Sequence, residues 1–529
     1  MEKEKDLAGG KRYHLMALIC FLAILKFILP YVVQSSAYEP HRDEFLYLAE
    51  ARHLAWGYYE VPPMLSILSW FANLMGGSLF WIKFWPSLFG SLTYLLVARL
   101  IVLLGGRAFA LVLGFIPFVL GYYVHVHFML QPNFLEVFFW TLMAYGLVFY
   151  FRAGKTSGLY LAGVAVGLGL LSKYAIAFFI FGLLVGLICT RERKVYLNKH
   201  FWFAASIGLL IFLPNLIWEW QHGLPFFEQM KELQKQQLQN VSRGEFLEDQ
   251  LIYNLPAIMI WPVGLYQVFF AGKYRDFRFV GIGLSIAMAI IVIGHGKGYY
   301  GMPAYPILFA VGAVSLEAWT SRKSLWLRYG IVLFSVLTGV IIDSVSIPFL
   351  QPKQLADYYA GHPAFAKVNF LKWEDGKNHP LPQDFADMLS WREMTDKVAA
   401  VYASLSPDER KKTIIDCGNY GEAAAVEYYG QPYHLPAVMC HAASFLFWTR
   451  MDFNKNDNFI MVTDYRNEIH EDYIKQFASA AIVDSVANPY ARECGSYILL
   501  LKKPSQGFRK EWKDDYIKMK KESAFISAR

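Results

Sequence analysis

Apolar and polar positions are unevenly distributed along this chain. From residue 14 to residue 345 the apolar residues gather into long runs separated by short polar loops; from 350 to 529 the pattern is that of a water-soluble sequence. A helix that crosses a bilayer needs ~20 apolar residues. Eleven runs are candidates: about 15–34, 83–104, 108–127, 134–151, 157–172, 174–190, 201–218, 252–271, 279–294, 299–318 and 327–345. The runs 157–172 and 174–190 nearly touch at Ser172-Lys173-Tyr174, where a polar hinge favours two short helices over one long one. The first run follows a segment charged with both signs and is not followed by a small-residue cleavage site, so it reads as a retained helix.

The tail alternates differently. LSWREMTDKVAAVYASLSPDERKK places Leu, Met, Val and Tyr on one helical face, and NYGEAAAVEYYG is a second helix ended by Gly430. TIIDCG, NFIMVTD and SYILLLKK are β-branched or apolar runs of strand length. Strands alternating with helices predict a small α/β domain. No GxGxxG or GxxxxGK[ST] occurs there, so nothing marks a nucleotide site. The chain thus divides into a membrane domain, 1–349, and a soluble domain, 350–529. In the second long loop FFEQMKELQKQQLQ has helical periodicity and is expected to lie along a membrane surface.

Charge adds orientation. With the N-terminus inside, the inside segments hold Lys3, Lys5, Lys11 and Arg12; Arg107; Arg152 and Lys155; Arg191, Arg193, Lys194 and Lys199; Lys273, Arg275 and Arg278; and Arg322, Lys323 and Arg328. The alternate loops are poorer in Lys and Arg, which is the positive-inside pattern. An odd number of spans then places the tail outside. The net charge of +7 over 529 residues is carried by these loops, so it orients the chain in a membrane and gives no footprint for nucleic acid. Five cysteines form no CxxC; Cys417, Cys440 and Cys494 in the tail are the candidates for a disulfide.

Candidate chemistry concentrates in the outside loops. AYEPHRDEFLYLAEARHLAWGYYEVPP carries Glu39, His41, Arg42, Asp43, Glu44, Glu50, Arg52, His53 and Glu60. Asp43 and Glu44 open a helical pattern, where the helix dipole favours acids; capping a solvated helix is the plain alternative. HVHFMLQPNFLE adds His125, His127, Gln131, Asn133 and Glu136. Glu136 lies inside an apolar run, and an ionisable group at membrane depth faces a cavity or a partner. The histidines are two apart and point different ways on a helix, so they read as loop histidines rather than metal ligands. Lys173 is either a cationic ligand or a lysine snorkelling to the interface. GHGKGYYGMPAYP surrounds Lys297 with glycines that let backbone approach a ligand, and Lys297 is a point charge suited to phosphate. Tyr299 and Tyr300 also fit an interfacial aromatic belt.

These same blocks, HRDEFLYLAEARHLAWGYYEVPPMLSIL, QPNFLEVFFWTL, GLGLLSKYAIAFF, FLPNLIWEWQHGLPFFE and GKGYYGMPAYPILFAVGAVSLE, resemble in order the bacterial GT-C glycosyltransferases related to protein O-mannosyltransferases and lipid A aminoarabinose transferases. The tail motifs LPQDFADMLSWREM and NYGEAAAVEYYG resemble a subgroup of that family. The resemblance implies an all-α membrane bundle of the GT-C type with an extracytoplasmic α/β domain, in the inner membrane. It implies an inverting hexosyl- or pentosyltransferase. The donor would be a polyprenyl-phosphate-linked sugar and the acceptor a lipid such as lipid A, a surface glycan or a protein. Asp43 matches the family's general base, with Glu44 beside it and Glu136 as a further catalytic candidate. The lysine that precedes the Pro-Pro pair in aminoarabinose transferases is Val61 here, so the donor phosphate falls to Lys297, Lys173 and Arg52. Arg42, Glu60, Asn133, Tyr299 and Tyr300 are expected to bind substrate. The mechanism requires no cofactor, and no metal is assigned.

Two other readings share the topology. A transporter of a lipid-linked sugar would show inverted repeats with matching broken spans, which are not seen. An inactive member acting as a binding protein would not need the Asp43–Glu44 pair.

Overall fold

The computed structural model describes residues 2–236, 241–320, 324–367, 369–449, 456–464 and 471–522. Arg322 and Lys323 of the basic loops, and the end of the amphipathic segment after Gln236, lie outside the described residues. The chain forms two compact units. The first comprises Met1–Gln34, Lys83–Leu216 and Leu233–Ile347; the second comprises Ser35–Ile82, Ile217–Glu232 and Pro348–Arg529. The second unit therefore contains more than the tail, because residues 35–82 and 217–232 belong to it.

The first unit is helical. Among the described residues seven helices are long and apolar enough to cross a membrane: Tyr13–Val33, Leu79–Leu103, Pro132–Ala153, Lys199–Gln221, Gly272–Ile293, Gly298–Trp319 and Leu325–Ser346. The other four sequence runs do not form full-length helices. Ala108–Val119 contains Pro117 and stops before Gly121, whose φ of 140° no helix contains. Ser157–Leu170 and Ile176–Ile188 are separated by a turn at the Ser172-Lys173-Tyr174 hinge. The 252–271 run is cut at Pro256, and Pro262 sits in the first turn of what remains, Trp261–Phe270. Helices of 14 and 13 residues span only ~20 Å at 1.5 Å per residue, short of a ~30 Å hydrocarbon core. Helices approach through glycine: a Cβ on Gly182 would strike the backbone of Gly283, and one on Gly264 the carbonyl of Leu308. Close backbone approach replaces the hydrophobic drive that lipid cannot supply between helices.

The second unit is built on a five-stranded sheet: β1 Thr413–Cys417, β2 Val438–Cys440, β3 Asn458–Thr463, β4 Phe477–Ser485 and β5 Tyr497–Pro504, in the order β2-β1-β3-β5-β4. β1 runs parallel to β2 and β3, and β5 is antiparallel to β3 and β4. Both faces of the inner strands are covered, so β1 and β3 are buried along their whole length, as expected of strands packed on two sides. One face packs Phe459, Met461 and Leu501 with Phe508 of the Gln506–Glu522 helix. The other packs Ile415, Cys417 and Ile460 with Met394 and Val398 of the Trp391–Ser404 helix and with Ala423–Val426 of the Tyr420–Tyr429 helix. Phe45, Leu46 and Ala49 of the Arg42–Glu50 helix complete that core, with the Phe45 ring edge-on to Trp391, Tyr428 and Tyr429. The segment after the first apolar helix is thus a core element of the α/β unit. All five cysteines are free.

Candidate active site

The Arg42–Glu50 helix starts with a capping box. His41 Nδ1 accepts the Asp43 N–H at 3.1 Å, and Glu44 Oε2 accepts the His41 N–H at 2.7 Å. Two orphan N–H groups are satisfied this way. The acidic pair consequently divides its work. Glu44 is fully buried and committed to the cap, whereas the Asp43 side chain is 29% exposed. Its Oδ1 accepts the Tyr420 hydroxyl at 2.8 Å. Arg42 lies over the Tyr420 ring at 4.5 Å, close against Gly421, where a Cβ would sit 2.5 Å from Arg42 Cγ. The loop is fastened on the same side by the Glu39 N–H to Met388 and the Arg42 N–H to Asp387, both to backbone carbonyls.

Behind the cap, His41 Nε2 faces Asp384 at 3.8 Å and Asp387 at 3.7 Å, and Asp387 pairs with Arg492 at 3.2 Å. Burial disfavours an imidazolium here, while the charges of Asp43, Asp387 and Asp384 favour it and on balance would raise the ring to about 9. The Asp43 N–H decides the matter. An imidazolium has no acceptor nitrogen, so the bond to Nδ1 fixes a neutral ring with its hydrogen on Nε2. The three side chains are near enough together to surround an ion, but in this tautomer Nε2 offers no lone pair. Burial raises the Asp387 carboxyl to about 6 against the opposing charges of Arg492 and Arg42.

Glu60 is held by the Ser444 hydroxyl and by the Ser444 N–H at 2.7 Å. Glu50 accepts the Ser66 hydroxyl at 2.6 Å. Burial raises both carboxyls, and their mutual repulsion raises Glu50 further. Arg52 is held by the carbonyl of Glu427 at 3.3 Å and lies 3.8 Å from its carboxylate.

In the first unit, Lys173 Nζ lies 2.8 Å from Glu136 and donates to Asn133 Oδ1 at 2.9 Å, with Nζ 4.3 Å from the centre of the Tyr300 ring and 5.8 Å from that of Tyr299. Lys297 lies near enough to Tyr300 to act on it electrostatically. Five of the predicted residues therefore form one group: Glu136, Asn133, Lys173, Tyr299 and Tyr300. Lys297 stands beside them. Glu136 is 1% exposed and faces a lysine, as a carboxylate at membrane depth requires. His125 bonds the Ser346 carbonyl, and His127 is fully buried elsewhere. Asp43, Glu44, Arg42, Arg52 and Glu60 belong to the second unit.

Residues 60–218 match the family of dolichyl-phosphate-mannose-protein mannosyltransferases. ArnT from Cupriavidus metallidurans in its apo state superimposes with a TM-score of 0.62 at 13% identity, covering 92% of this chain and 98% of that one. The same protein bound to undecaprenyl phosphate gives 0.59 at 13% identity, over 92% and 97% of the two chains. This chain has the GT-C glycosyltransferase fold. Saccharomyces cerevisiae protein O-mannosyltransferase Pmt1-Pmt2 bound to its sugar donor is similar only locally, with a TM-score of 0.32 at 17% identity over 41% and 33% of the chains, and adds nothing to that assignment. No curated protein matches the chain.

Several residues that contact these groups were not identified from the sequence. Tyr420 and Glu427 lie in NYGEAAAVEYYG and Asp387 in LPQDFADML, the two tail motifs that carried the resemblance but no assigned chemistry. Ser444 has no local signal. Lys83 opens an apolar helix, where it reads as a flanking charge. It is 3% exposed, donates to the Phe128 carbonyl at 3.2 Å and covers the Phe128 ring.

Proposed function

We propose that this protein is an integral membrane glycosyltransferase. It moves a sugar from a polyprenyl-phosphate-linked donor to a hydroxyl of an extracytoplasmic lipid, glycan or protein, with inversion, the N-terminus being cytoplasmic. The observation that carries the reading is Asp43: a partly exposed carboxylate held by Tyr420 and by a helix start whose own cap is supplied by other groups. A general base needs a fixed position and an accessible oxygen. Glu44 positions the helix. The leaving group is already a phosphate anion, so it needs cations rather than a strong acid. Lys173 and Lys297 beside Tyr300 are suited to that role, with Glu136 and Asn133 orienting Lys173. Arg52 is paired with Glu427 instead of with the Lys173 group.

The test is consumption of radiolabelled polyprenyl-phosphate sugars by purified protein supplied with membrane extract as acceptor source. Asp43→Asn keeps the shape and removes the base. A rate loss of at least ~10²-fold is expected. Equal rates in the two forms would remove Asp43 from the chemistry, and donor binding without turnover in both would favour a transporter or an inactive binding protein.

A further inference from the structure

The second unit contains one cavity whose residues the proposed reaction does not use. Its volume is about 250 Å³, and its walls include Arg52, Glu427, Gln431, His434, Leu435 and Pro436. Gly430 makes the tight return that forms it, since a Cβ there would strike the Val426 carbonyl and the Leu435 side chain. The chain then passes through His434, held in the left-handed region at φ 50°, and enters β2. That strand pairs only with β1, so its other edge is unpaired among the described residues. An edge offers backbone donors and acceptors to a ligand.

The chemistry of the wall is specific. Arg52 presents a guanidinium fork, Gln431 an amide with both donors and acceptors, and His434 a ring that can do either. Glu427 Oε2 is buried without a hydrogen bond. Burial raises that carboxyl to about 7, with Arg52 acting in the opposite sense, so near neutral pH it can donate as well as accept. Leu435 and Pro436 add an aliphatic surface. Donors and acceptors beside an aliphatic surface suit a ring bearing hydroxyls on its rim and C–H groups on its face. The volume is below the ~300–1,000 Å³ of pockets for drug-sized ligands, which limits the occupant to about one such ring. Arg52 lies two residues beyond the Arg42–Glu50 helix that carries Asp43.

We infer that this cavity is a binding subsite for a single sugar residue of the acceptor, held by Arg52, Glu427, Gln431 and His434. The inference rests on the glycosyltransferase reading for the word acceptor, and on the cavity alone for the word sugar. An acceptor glycan would be gripped here through one of its residues while another presents its hydroxyl to Asp43. That makes the α/β unit the source of acceptor specificity.

The experiment is saturation-transfer NMR on the full-length protein in detergent, with methyl hexosides and methyl hexuronosides as probes and inorganic phosphate as competitor. Gln431→Ala and His434→Gly are the variants, each checked for an unchanged melting temperature; glycine tolerates the backbone at 434. At least one glycoside should show transfer in the wild type, with the signal reduced at least 5-fold in both variants. No transfer from any glycoside, transfer equal in wild type and variants, or a site that takes phosphate and no glycoside would each overturn the inference. The measurement needs no turnover. A wild type that consumes no donor would therefore sink the transferase reading while leaving the cavity result to stand or fall separately.

Discussion

Glu44 is the residue at which the resemblance and the geometry lead to different experiments. As half of an acidic pair it invites a catalytic role; in the structure its carboxylate accepts the His41 N–H at 2.7 Å inside a capping box and is fully buried. Glu44→Gln keeps an acceptor oxygen at the same place. It loses the charge, and a neutral hydrogen bond is worth about half a charged one, with up to ~1 kcal/mol more from the helix dipole. The cost is ~1 kcal/mol. Glu44→Ala removes the acceptor altogether. A lost cap costs ~1 kcal/mol, and a buried N–H left without a partner costs ~1–3 kcal/mol, so ~2–4 kcal/mol in all. At ~2–4 °C per kcal/mol for a unit of 150–250 residues, melting should fall by ~2–4 °C for Gln and by ~5–15 °C for Ala. The assay is thermal unfolding in detergent beside donor consumption. Glu44→Gln should turn over within ~3-fold of wild type. A Glu44→Gln protein that melts normally yet is as slow as Asp43→Asn would refute the division of roles and place Glu44 in the chemistry.

The remaining predictions concern charge. Lys173→Met leaves Glu136 buried and unpaired, which should cost ~3–5 kcal/mol; adding Glu136→Gln should recover the melting temperature but leave donor affinity at least ~10-fold below wild type, as measured by binding of a radiolabelled donor. Recovery of both would deny Lys173 a role in phosphate binding. Glu427, raised by burial from 4.5 to about 7, takes up a proton on folding below pH 7. Its contribution is therefore intact below about pH 4.5 and is lost as pH rises towards 7, by at most ~3 kcal/mol at 1.36 kcal/mol per unit. Glu427→Gln should raise the melting temperature relative to wild type more at pH 8 than at pH 5, and an equal gain at both would contradict the assignment.

Much of the fold was legible because its signals are local. Apolar runs located the seven long helices, and the Ser172-Lys173-Tyr174 hinge showed where two shorter ones meet. The β-branched and apolar runs located β1, β3 and β5. β2 has three residues, and β4, FASAAIVDS, is largely exposed and alanine-rich, so neither carries a strand signal. The single helix expected over 389–412 ends at Ser404, because Ser406-Pro407 starts a new capped turn. Run length alone did not separate the seven long helices from the runs whose helices are shorter, where prolines and Gly121 interrupt them.

For the candidate site the sequence by itself determined the chemical inventory: Asp43 and Glu44 at a helix start, Glu136 at membrane depth, and Lys173 and Lys297 beside aromatic residues. It could not say which groups are already spent. The cap that occupies Glu44, the Tyr420 hydroxyl on Asp43 from 377 residues away, the Ser444 clasp on Glu60 and the Glu427 hold on Arg52 were decided only by tertiary structure. A hydrogen bond between residues hundreds of positions apart leaves no period or spacing in either segment. It exists because the Arg42–Glu50 helix buries Phe45, Leu46 and Ala49 in the core of the α/β unit, and that packing fixes what its polar end can reach.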